Sequence, residues 1–258
     1  MHTVSIRGRK LSYQVQPEQY DRSALTIVLI HGSGGDSEDW RGQLDGLAEV
    51  VNVVAVELPG HGSSDPPGER SVEAYAGWVV HLVEALGLEK VMLIGCSIGG
   101  AIAQWIALDG KPWLKAIGLV GTGARLRVLP ALLEGLRTNV QEAVKLISAY
   151  SLSAGADDSY QNAAKEKLLR NPTELIHGDL SACDEFDVMN RVSEIAVPTW
   201  ILVGQDDRMT PVKYSHFLKD RIAGSTMAVI EGAGHLAMVE KPEEFNAQLR
   251  NFLSRLSI

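Results

Sequence analysis

The residues that could do chemistry in this chain begin with a serine between two glycines. Ser97 stands in Gly-Cys-Ser-Ile-Gly at positions 95–99, directly after an apolar run at 91–94. A sharp turn from a strand into a helix requires small flanking residues and lifts the serine hydroxyl clear of the sheet. The start of a helix also offers free backbone N–H groups and a positive dipole end to an anion. Ser97 is therefore a candidate nucleophile.

The base that Ser97 needs is expected to be a histidine, since a serine hydroxyl is a weak nucleophile until a base takes its proton. Of seven histidines, His235 stands in Glu-Gly-Ala-Gly-His at 231–235, just after an apolar run at 227–230. A glycine-rich loop beyond a strand end can carry its imidazole to the sheet edge that holds Ser97. We predict His235 as the base. His31 and His61 also stand in glycine-rich loops and are expected to brace them.

A third group should orient the imidazole, and two adjacent acids compete for that role. Asp206 and Asp207 follow the apolar run at 199–203 within Gly-Gln-Asp-Asp. Either carboxylate could orient a histidine from this strand end, and chemistry alone does not choose between them. The alternative is that both only cap the following helix.

The oxyanion formed by attack on a carbonyl needs two backbone N–H donors. The turn at Ser97 supplies the N–H of Ile98, and a second donor is expected from the loop after an earlier strand. That loop is His-Gly-Ser-Gly-Gly at 31–35, where the N–H of Ser33 or Gly34 is the candidate. Cys96 is a rival nucleophile by chemistry, but we expect its side chain to point away along the turn and to be a buried, reduced thiol.

The elements that must position these residues follow an α/β pattern. Alternating apolar residues on both sides of a turn at Gly8 and Arg9 predict an antiparallel hairpin. Short continuous apolar runs follow, of the kind that is typical of strands buried on both faces of a parallel sheet. They occupy 26–30, 53–56, 91–94, 116–120, 199–203 and 227–230. Helical patterns at 72–86, 98–108, 211–221 and 242–256 alternate with them. The sequence therefore predicts an α/β fold with a mostly parallel central sheet flanked by helices.

One stretch breaks this alternation. Residues 123–197 contain no convincing strand but four helical patterns, at 130–137, 139–150, 158–170 and 173–183. We predict a core formed by residues 1–122 and 198–258, with residues 123–197 inserted between two strands. The insertion is interpreted as a lid, because ligands bind at the carboxyl edge of such sheets. A plain scaffold excursion is the alternative.

Composition excludes several classes of protein. The 258 residues carry 24 basic and 32 acidic side chains, a net charge of −8, whereas nucleic-acid binding needs a basic surface. Two cysteines cannot form a disulfide framework or a four-thiolate zinc site. The longest apolar run, at 24–30, is too short to span a bilayer, and no secretory signal pattern is present. We expect a cytoplasmic protein that binds no nucleic acid, does not insert into a membrane and uses no metal or cofactor.

Taken jointly, the motifs resemble those of the α/β-hydrolase superfamily. The order of Ser97, an aspartate and His235, each after a strand, is typical of it. Further matches are His-Gly at 31–32 followed by Trp40, Leu-Pro-Gly-His-Gly at 58–62, and Gly-x-x-Asp at 204–207. The likeness spans nearly the whole chain.

The resemblance implies an α/β-hydrolase fold in which residues 123–197 form a helical cap. It also implies that Asp207 is the acid and that the N–H groups of Ser33 and Ile98 form the oxyanion hole. Substrate contacts are expected from the cap, with Trp40 as a further candidate.

A serine nucleophile implies acyl transfer, since haloalkane dehalogenases and epoxide hydrolases of this fold use an aspartate at that position. We therefore expect a carboxylesterase that hydrolyses small or medium esters. One alternative is a C–C hydrolase of a ring-cleavage product, although such enzymes usually carry a proline that the loop at 31–35 lacks. Others are a perhydrolase or haloperoxidase-like enzyme and, from another class, a ligand-binding receptor or pseudo-enzyme.

Overall fold

The apolar runs of the sequence form the parallel part of one eight-stranded sheet. The computed structural model describes residues 1–256. Its strands are β1 (His2–Ile6), β2 (Arg9–Gln16), β3 (Leu25–Ile30), β4 (Asn52–Glu57), β5 (Lys90–Cys96), β6 (Leu114–Val120), β7 (Thr199–Gly204) and β8 (Thr226–Ile230). All six predicted runs are strands, and the predicted N-terminal hairpin is β1–β2. Its turn lies at Arg7 and Gly8, both with positive φ, one residue earlier than predicted, because Arg9 already pairs with Ile6.

The strand order is β1-β2-β4-β3-β5-β6-β7-β8. β2 pairs antiparallel with β1 and β4, and every other pair is parallel. The mostly parallel sheet is thereby confirmed. Because β3 and β5 are neighbours and β7 and β8 are neighbours, four chain segments leave the same carboxyl edge close together. These segments carry the residues singled out above.

Helices cover both faces of the sheet. They are α1 (Arg41–Leu47), α2 (Val72–Leu86), α3 (Ile98–Asp109), α4 (Pro130–Thr138), α5 (Val140–Ser151), α6 (Asp158–Arg170), α7 (Thr173–Glu185), α8 (Val212–Arg221), α9 (Ala237–Glu240) and α10 (Pro242–Leu253). The sequence did not predict α1 or α9, which are short. Pro211 precedes α8 with an extended backbone (ψ 153°) rather than standing in its first turn. No helix within residues 1–256 is long and apolar enough to cross a membrane.

Alternate side chains of the central strands enter two apolar layers. Val28 and Ile30 of β3 join the layer under α2 and α3, whereas Ile27 and Leu29 join the layer under α1 and α10. Burial on both faces explains why these strands are continuously apolar in the sequence.

The helices α4–α7 lie between β6 and β7, as the sequence predicts. They share an apolar cluster of their own, which includes Leu136, Val144 and Ile176. Within residues 123–197 of the described chain there is no strand, only an isolated bridge between Arg125 and Asp187. α7 also contacts α3, so this helical segment packs on the core.

Candidate active site

Ser97 occupies the tight turn between β5 and α3 that its glycine neighbours predict. Its φ of 55° lies in the left-handed region, which a non-glycine residue adopts only under strain. A Cβ on Gly95 would collide with the carbonyl of Gly99, and a Cβ on Gly99 would collide with the carbonyl oxygen of Ile30. Both glycines are therefore required by close backbone packing, and the turn can present the serine side chain at the edge of the sheet.

Cys96, the rival nucleophile, is fully buried on the other side of this turn. Its Sγ lies 3.9 Å from the carbonyl oxygen of His235 and does not line the cavity that Ser97 lines. Burial, and then the charges of Asp207 and Asp39, raise the pKa of the Cys96 thiol well above its usual value. The prediction of a buried thiol that is not disulfide-bonded is confirmed.

Of the two competing aspartates, Asp207 is the one that contacts His235. Its Nδ1 lies 2.9 Å from Oδ2 of Asp207, and both side chains are buried. Asp206 is exposed, and its side chain makes no hydrogen bond or ion pair with His235. Because Nδ1 donates to the carboxylate, Nε2 is the nitrogen left to take a proton. The structure thus brings Asp207, not Asp206, to His235.

Asp207 also caps the turn that follows it. Its Oδ1 accepts hydrogen bonds from the backbone N–H groups of Met209 and Thr210, at 2.9 and 2.8 Å. Burial raises the pKa of Asp207, but the facing imidazole of His235 and the hydrogen bonds outweigh burial, so that the net pKa lies below its usual value. The carboxylate is therefore held ionised beside the histidine.

Two residues that the sequence motifs did not indicate, Thr210 and Glu240, support this pair. Oγ1 of Thr210 donates to Oδ2 of Asp207 at 2.8 Å and lies 3.2 Å from Nδ1 of His235. Glu240 accepts from the N–H of Gly234 at 2.8 Å and, through its other oxygen, from the N–H of Ser153 at 2.9 Å. A hydroxyl three residues after an aspartate in a turn was a usable signal for Thr210, whereas Glu240 had no comparable signal.

The loop after β3 lies against Ser97. A Cβ on Gly32 would stand 3.6 Å from the Cβ of Ser97. The N–H of Gly34 is already engaged, since it donates to Oδ2 of Asp179 at 2.9 Å. Within residues 1–256 the N–H of Ser33 donates to no backbone carbonyl. Of the two donors left open by the residues alone, Ser33 is therefore the one that is free to meet an oxyanion.

His31 braces this loop, as predicted. Its Nε2 accepts from the N–H of Leu58 at 3.0 Å, so its Nδ1 carries the proton and donates to the carbonyl of Gly32 at 2.8 Å. Burial, and then the neighbouring His61, lower the pKa of His31 to about 3. The ring is therefore neutral at physiological pH, and its Nδ1 is a fixed donor to the carbonyl of Gly32.

A cavity of about 350 Å³ joins these groups. Ser97, His235 and the loop 32–35 line it. The helical segment between β6 and β7 supplies most of its aliphatic side chains, which are Ile147, Leu152, Ala163, Ala164, Leu168 and Leu180. Lys167 also lines the cavity, and its Nζ contacts the carboxylates of Asp36 and Asp39 at 2.7 and 2.6 Å. Ile98 is the first residue of α3, so its N–H is free of the helix ladder.

Trp40 lies in the core and not at the cavity. The expectation that it contacts substrate is wrong, because the side chain is fully buried in the apolar layer under α1 and α10. Its ring packs edge-on against Phe245, with centroids 6.0 Å apart, and does not line the cavity. The residue ends a short 3₁₀ turn (Ser37–Trp40) whose last side chain faces the sheet.

Known proteins share this architecture. A thermophilic esterase of known structure is 35% identical, with a TM-score of 0.88, over 99% of this chain and 98% of its own. The 3-oxoadipate enol-lactonase 1 of Acinetobacter baylyi is 26% identical, over 95% of this chain and 94% of its own. A 2-hydroxy-6-oxononadienedioate/2-hydroxy-6-oxononatrienedioate hydrolase 2 of Pseudomonas putida is 28% identical, over 96% and 94%. One further relative, 28% identical, is longer, and this chain spans 64% of its length.

The sequence model of the alpha/beta hydrolase family matches residues 27–248, which include most of β3, all of β4 to β8 and every site residue described above. The eight-stranded sheet and its flanking helices agree with that match. The protein is a member of the alpha/beta hydrolase family.

Proposed function

We propose that the protein is a serine hydrolase that cleaves small or medium carboxylic esters through an acyl-enzyme on Ser97. The observation that carries this proposal is the 2.9 Å hydrogen bond between His235 and Asp207, beside a cavity that Ser97 and His235 both line. An oriented base next to a serine on a strained turn is the arrangement that activates a hydroxyl. Ser97, Asp207 and His235 form the proposed catalytic triad.

In the proposed reaction, Oγ of Ser97 attacks the ester carbonyl while Nε2 of His235 takes its proton. The N–H groups of Ser33 and Ile98 hold the negative oxygen that forms, and Asp207 stabilises the imidazolium. The C–O bond to the alcohol then breaks, and the alcohol leaves with the proton from His235. Water attacks the acyl-enzyme with His235 as base, which releases the carboxylic acid and restores Ser97.

The cavity supports a substrate with an apolar group of moderate size. The exposed lining of this cavity of about 350 Å³ is mostly apolar, which favours a hydrocarbon group next to the reacting carbonyl. Four charged side chains also line it: Glu38, Asp39, Lys167 and Arg170. We propose residues 123–197 as the cap, since they supply most of the aliphatic side chains that line the cavity, and residues 1–122 and 198–258 as the core. A 35% identical esterase and a 26% identical enol-lactonase support ester or lactone hydrolysis, which are the same chemistry at an acyl carbon.

Hydrolysis of a C–C bond is the second candidate, and the relative from Pseudomonas putida supports it. A panel of p-nitrophenyl esters of graded acyl length, together with a vinylogous dienoate, separates the two candidates. We expect turnover of esters, with a maximum at short or medium length, and its loss in Ser97→Ala. Turnover of the dienoate alone would favour the second candidate. If the protein turns over neither substrate, both candidates are contradicted.

A further inference from the structure

The two hydrogen-bonding groups of Gly34 are both held by side chains from the helical segment between β6 and β7. Its N–H donates to Oδ2 of Asp179, on α7, at 2.9 Å. Its carbonyl accepts from Nδ2 of Asn171, the residue that follows α6, at 2.8 Å. These partners are 145 and 137 positions away in the chain. The loop beside Ser97 therefore takes its shape from the inserted helices as well as from the sheet.

Asp179 is itself firmly fixed. Its side chain is 1% exposed, Oδ1 accepts from Oη of Tyr75 at 2.6 Å, and Oδ2 also accepts from Nε2 of His61 at 2.9 Å. Burial raises the pKa of Asp179, but His61 and the three hydrogen bonds outweigh burial and hold it below its usual value. A buried, ionised acceptor with every contact made is a rigid point of attachment for the loop.

The peptide groups on both sides of Ser33 are restrained by these contacts. The carbonyl of Gly32 accepts from His31 Nδ1 at 2.8 Å and from Gly35 N–H at 3.0 Å. In a trans peptide the N–H points opposite to the carbonyl, so these bonds direct the N–H of Ser33 away from them. The following peptide is held through the N–H of Gly34. Ser33 therefore has little freedom to turn its N–H while the peptides on both sides are held, the first by His31 and Gly35 and the second by Asp179.

The backbone conformation and close packing at position 34 also require a glycine. Its φ is +66°, and a Cβ would stand 2.7 Å from Cδ2 of Leu168 on α6. Helix α6, which supplies part of the cavity wall, therefore packs against Gly34, the residue that Asp179 and Asn171 bind.

From these contacts we propose that Asp179 and Asn171 are positioning residues, which hold the N–H of Ser33 where the oxyanion forms. On this account the helical segment 123–197 both covers the cavity and completes the oxyanion hole. The inference rests on the proposed function, because an oxyanion arises only in acyl transfer. It concerns residues acting through Ser33 and not residues that touch the substrate.

The expected signature is a loss of kcat without a comparable change in KM, since the oxyanion exists only beyond the ground state. Asp179→Leu removes the acceptor while keeping the branched shape of the side chain, and we expect kcat to fall about 100-fold, as for loss of one oxyanion donor. Asp179→Asn keeps an oxygen that can accept from Gly34 and leaves an amide toward Tyr75, so kcat should stay within about fivefold of wild type. Asn171→Ala should lower kcat about three- to tenfold, the effect of one hydrogen bond.

Tyr75→Phe is the matched control. It removes the hydrogen bond to the other oxygen of Asp179 and weakens folding, but leaves Gly34 bound. We expect its kcat to stay within about twofold of wild type, while its thermal midpoint falls as one buried hydrogen bond is lost. A purely structural role for Asp179 would instead make kcat follow stability across all the variants.

A trifluoromethyl ketone, which adds to Ser97 and places its oxygen in the oxyanion hole, gives a second readout. Its inhibition constant should rise in Asp179→Leu and Asn171→Ala in parallel with the loss of kcat/KM, and should not change in Tyr75→Phe. If Asp179→Leu does not fold, Asn171→Ala decides the outcome. An active wild type with unchanged kcat and inhibition constant in the folded variants contradicts this inference alone. A wild type without ester hydrolysis contradicts the proposed function, and this inference with it.

Discussion

Nδ1 of His235 lies 2.9 Å from Oδ2 of Asp207, although 28 positions separate the two residues in the chain. The contact exists because β7 and β8 are adjacent and parallel, with Gly204 opposite Ile230 at their carboxyl ends. The loops that follow these strands leave the sheet side by side. Asp206, one position earlier, points outward and is exposed.

A pair of isosteric substitutions tests which aspartate orients the base. Asp207→Asn should lower kcat on the order of 10³- to 10⁴-fold, because an amide neither stabilises the imidazolium nor selects the right tautomer. Asp206→Asn should leave kcat within about twofold of wild type, since the side chain is exposed and makes no hydrogen bond or ion pair with His235. Steady-state kinetics on one p-nitrophenyl ester checks both. Equal losses in the two variants would refute the assignment.

Removing the hydroxyl of Thr210 should lower kcat less than replacing Asp207 does. Thr210→Val removes the hydroxyl that donates to Oδ2 of Asp207, and we expect kcat to fall about fivefold, the value of one hydrogen bond. Thr210→Ser restores the hydroxyl and should recover most of that loss. A serine variant as slow as the valine variant would show that the hydroxyl is not what matters.

Two glycine-to-alanine changes test the turn at Ser97 through stability. Gly95→Ala forces a Cβ into the backbone of Gly99, and we expect the free energy of unfolding to fall by about 3 kcal/mol or more. Gly77, inside α2, faces open space, since no atom of another element within residues 1–256 lies within 4 Å of where its Cβ would stand. Gly77→Ala should therefore raise the free energy of unfolding by about 0.5–1 kcal/mol. Urea unfolding of both variants measures the contrast, and similar effects at the two sites would contradict the packing described.

Acid should destabilise the protein in a window set by His31. Burial, and then His61, lower the pKa of His31 from 6.5 to about 3, so the unfolded chain binds more protons than the folded chain between those values. The free energy of unfolding therefore falls as pH decreases from 6.5 toward 3, and this contribution is fully present above 6.5.

His31→Gln isolates that contribution, since glutamine can still accept from Leu58 and donate to Gly32 but does not titrate. We expect a flatter dependence of stability on pH in the variant than in wild type between about pH 6.5 and 4. His61 should make the free energy of unfolding change with pH in the opposite direction to His31. Burial lowers the pKa of His61, but Asp179 outweighs burial and raises it, so its contribution is lost above pH 6.5 rather than below. Parallel stability curves for wild type and His31→Gln would contradict the buried neutral imidazole.

The sequence predicted well what local physics controls. Continuous apolar runs located the six strands of the parallel region, and the glycines around Ser97 located the turn, because both signals lie within a few residues of the feature they specify. His235 was located by the same reasoning, from its glycine-rich loop beyond β8. The choice of Asp207 over Asp206 came from resemblance, since their local contexts are nearly the same and only burial separates them.

Contacts between distant segments could not be predicted. Nothing around Asp179 or Asn171 indicates that they bind Gly34, because the pairing depends on how α6 and α7 pack on the sheet edge. The expectation that Trp40 contacts substrate was wrong for a related reason. A motif can place an aromatic residue after a loop, but only the packing of α1 and α10 determines that it faces the core.

The central claim is that Ser97 becomes covalently linked to the substrate's acyl group. Labelling with a fluorophosphonate, followed by intact-mass and peptide mass spectrometry, tests it most directly. We expect wild type to gain one phosphonyl group on Ser97, Ser97→Ala to gain none, and His235→Ala to react orders of magnitude more slowly because the hydroxyl lacks its base. An unlabelled wild type, or a label on Cys96 or any residue other than Ser97, would contradict the account.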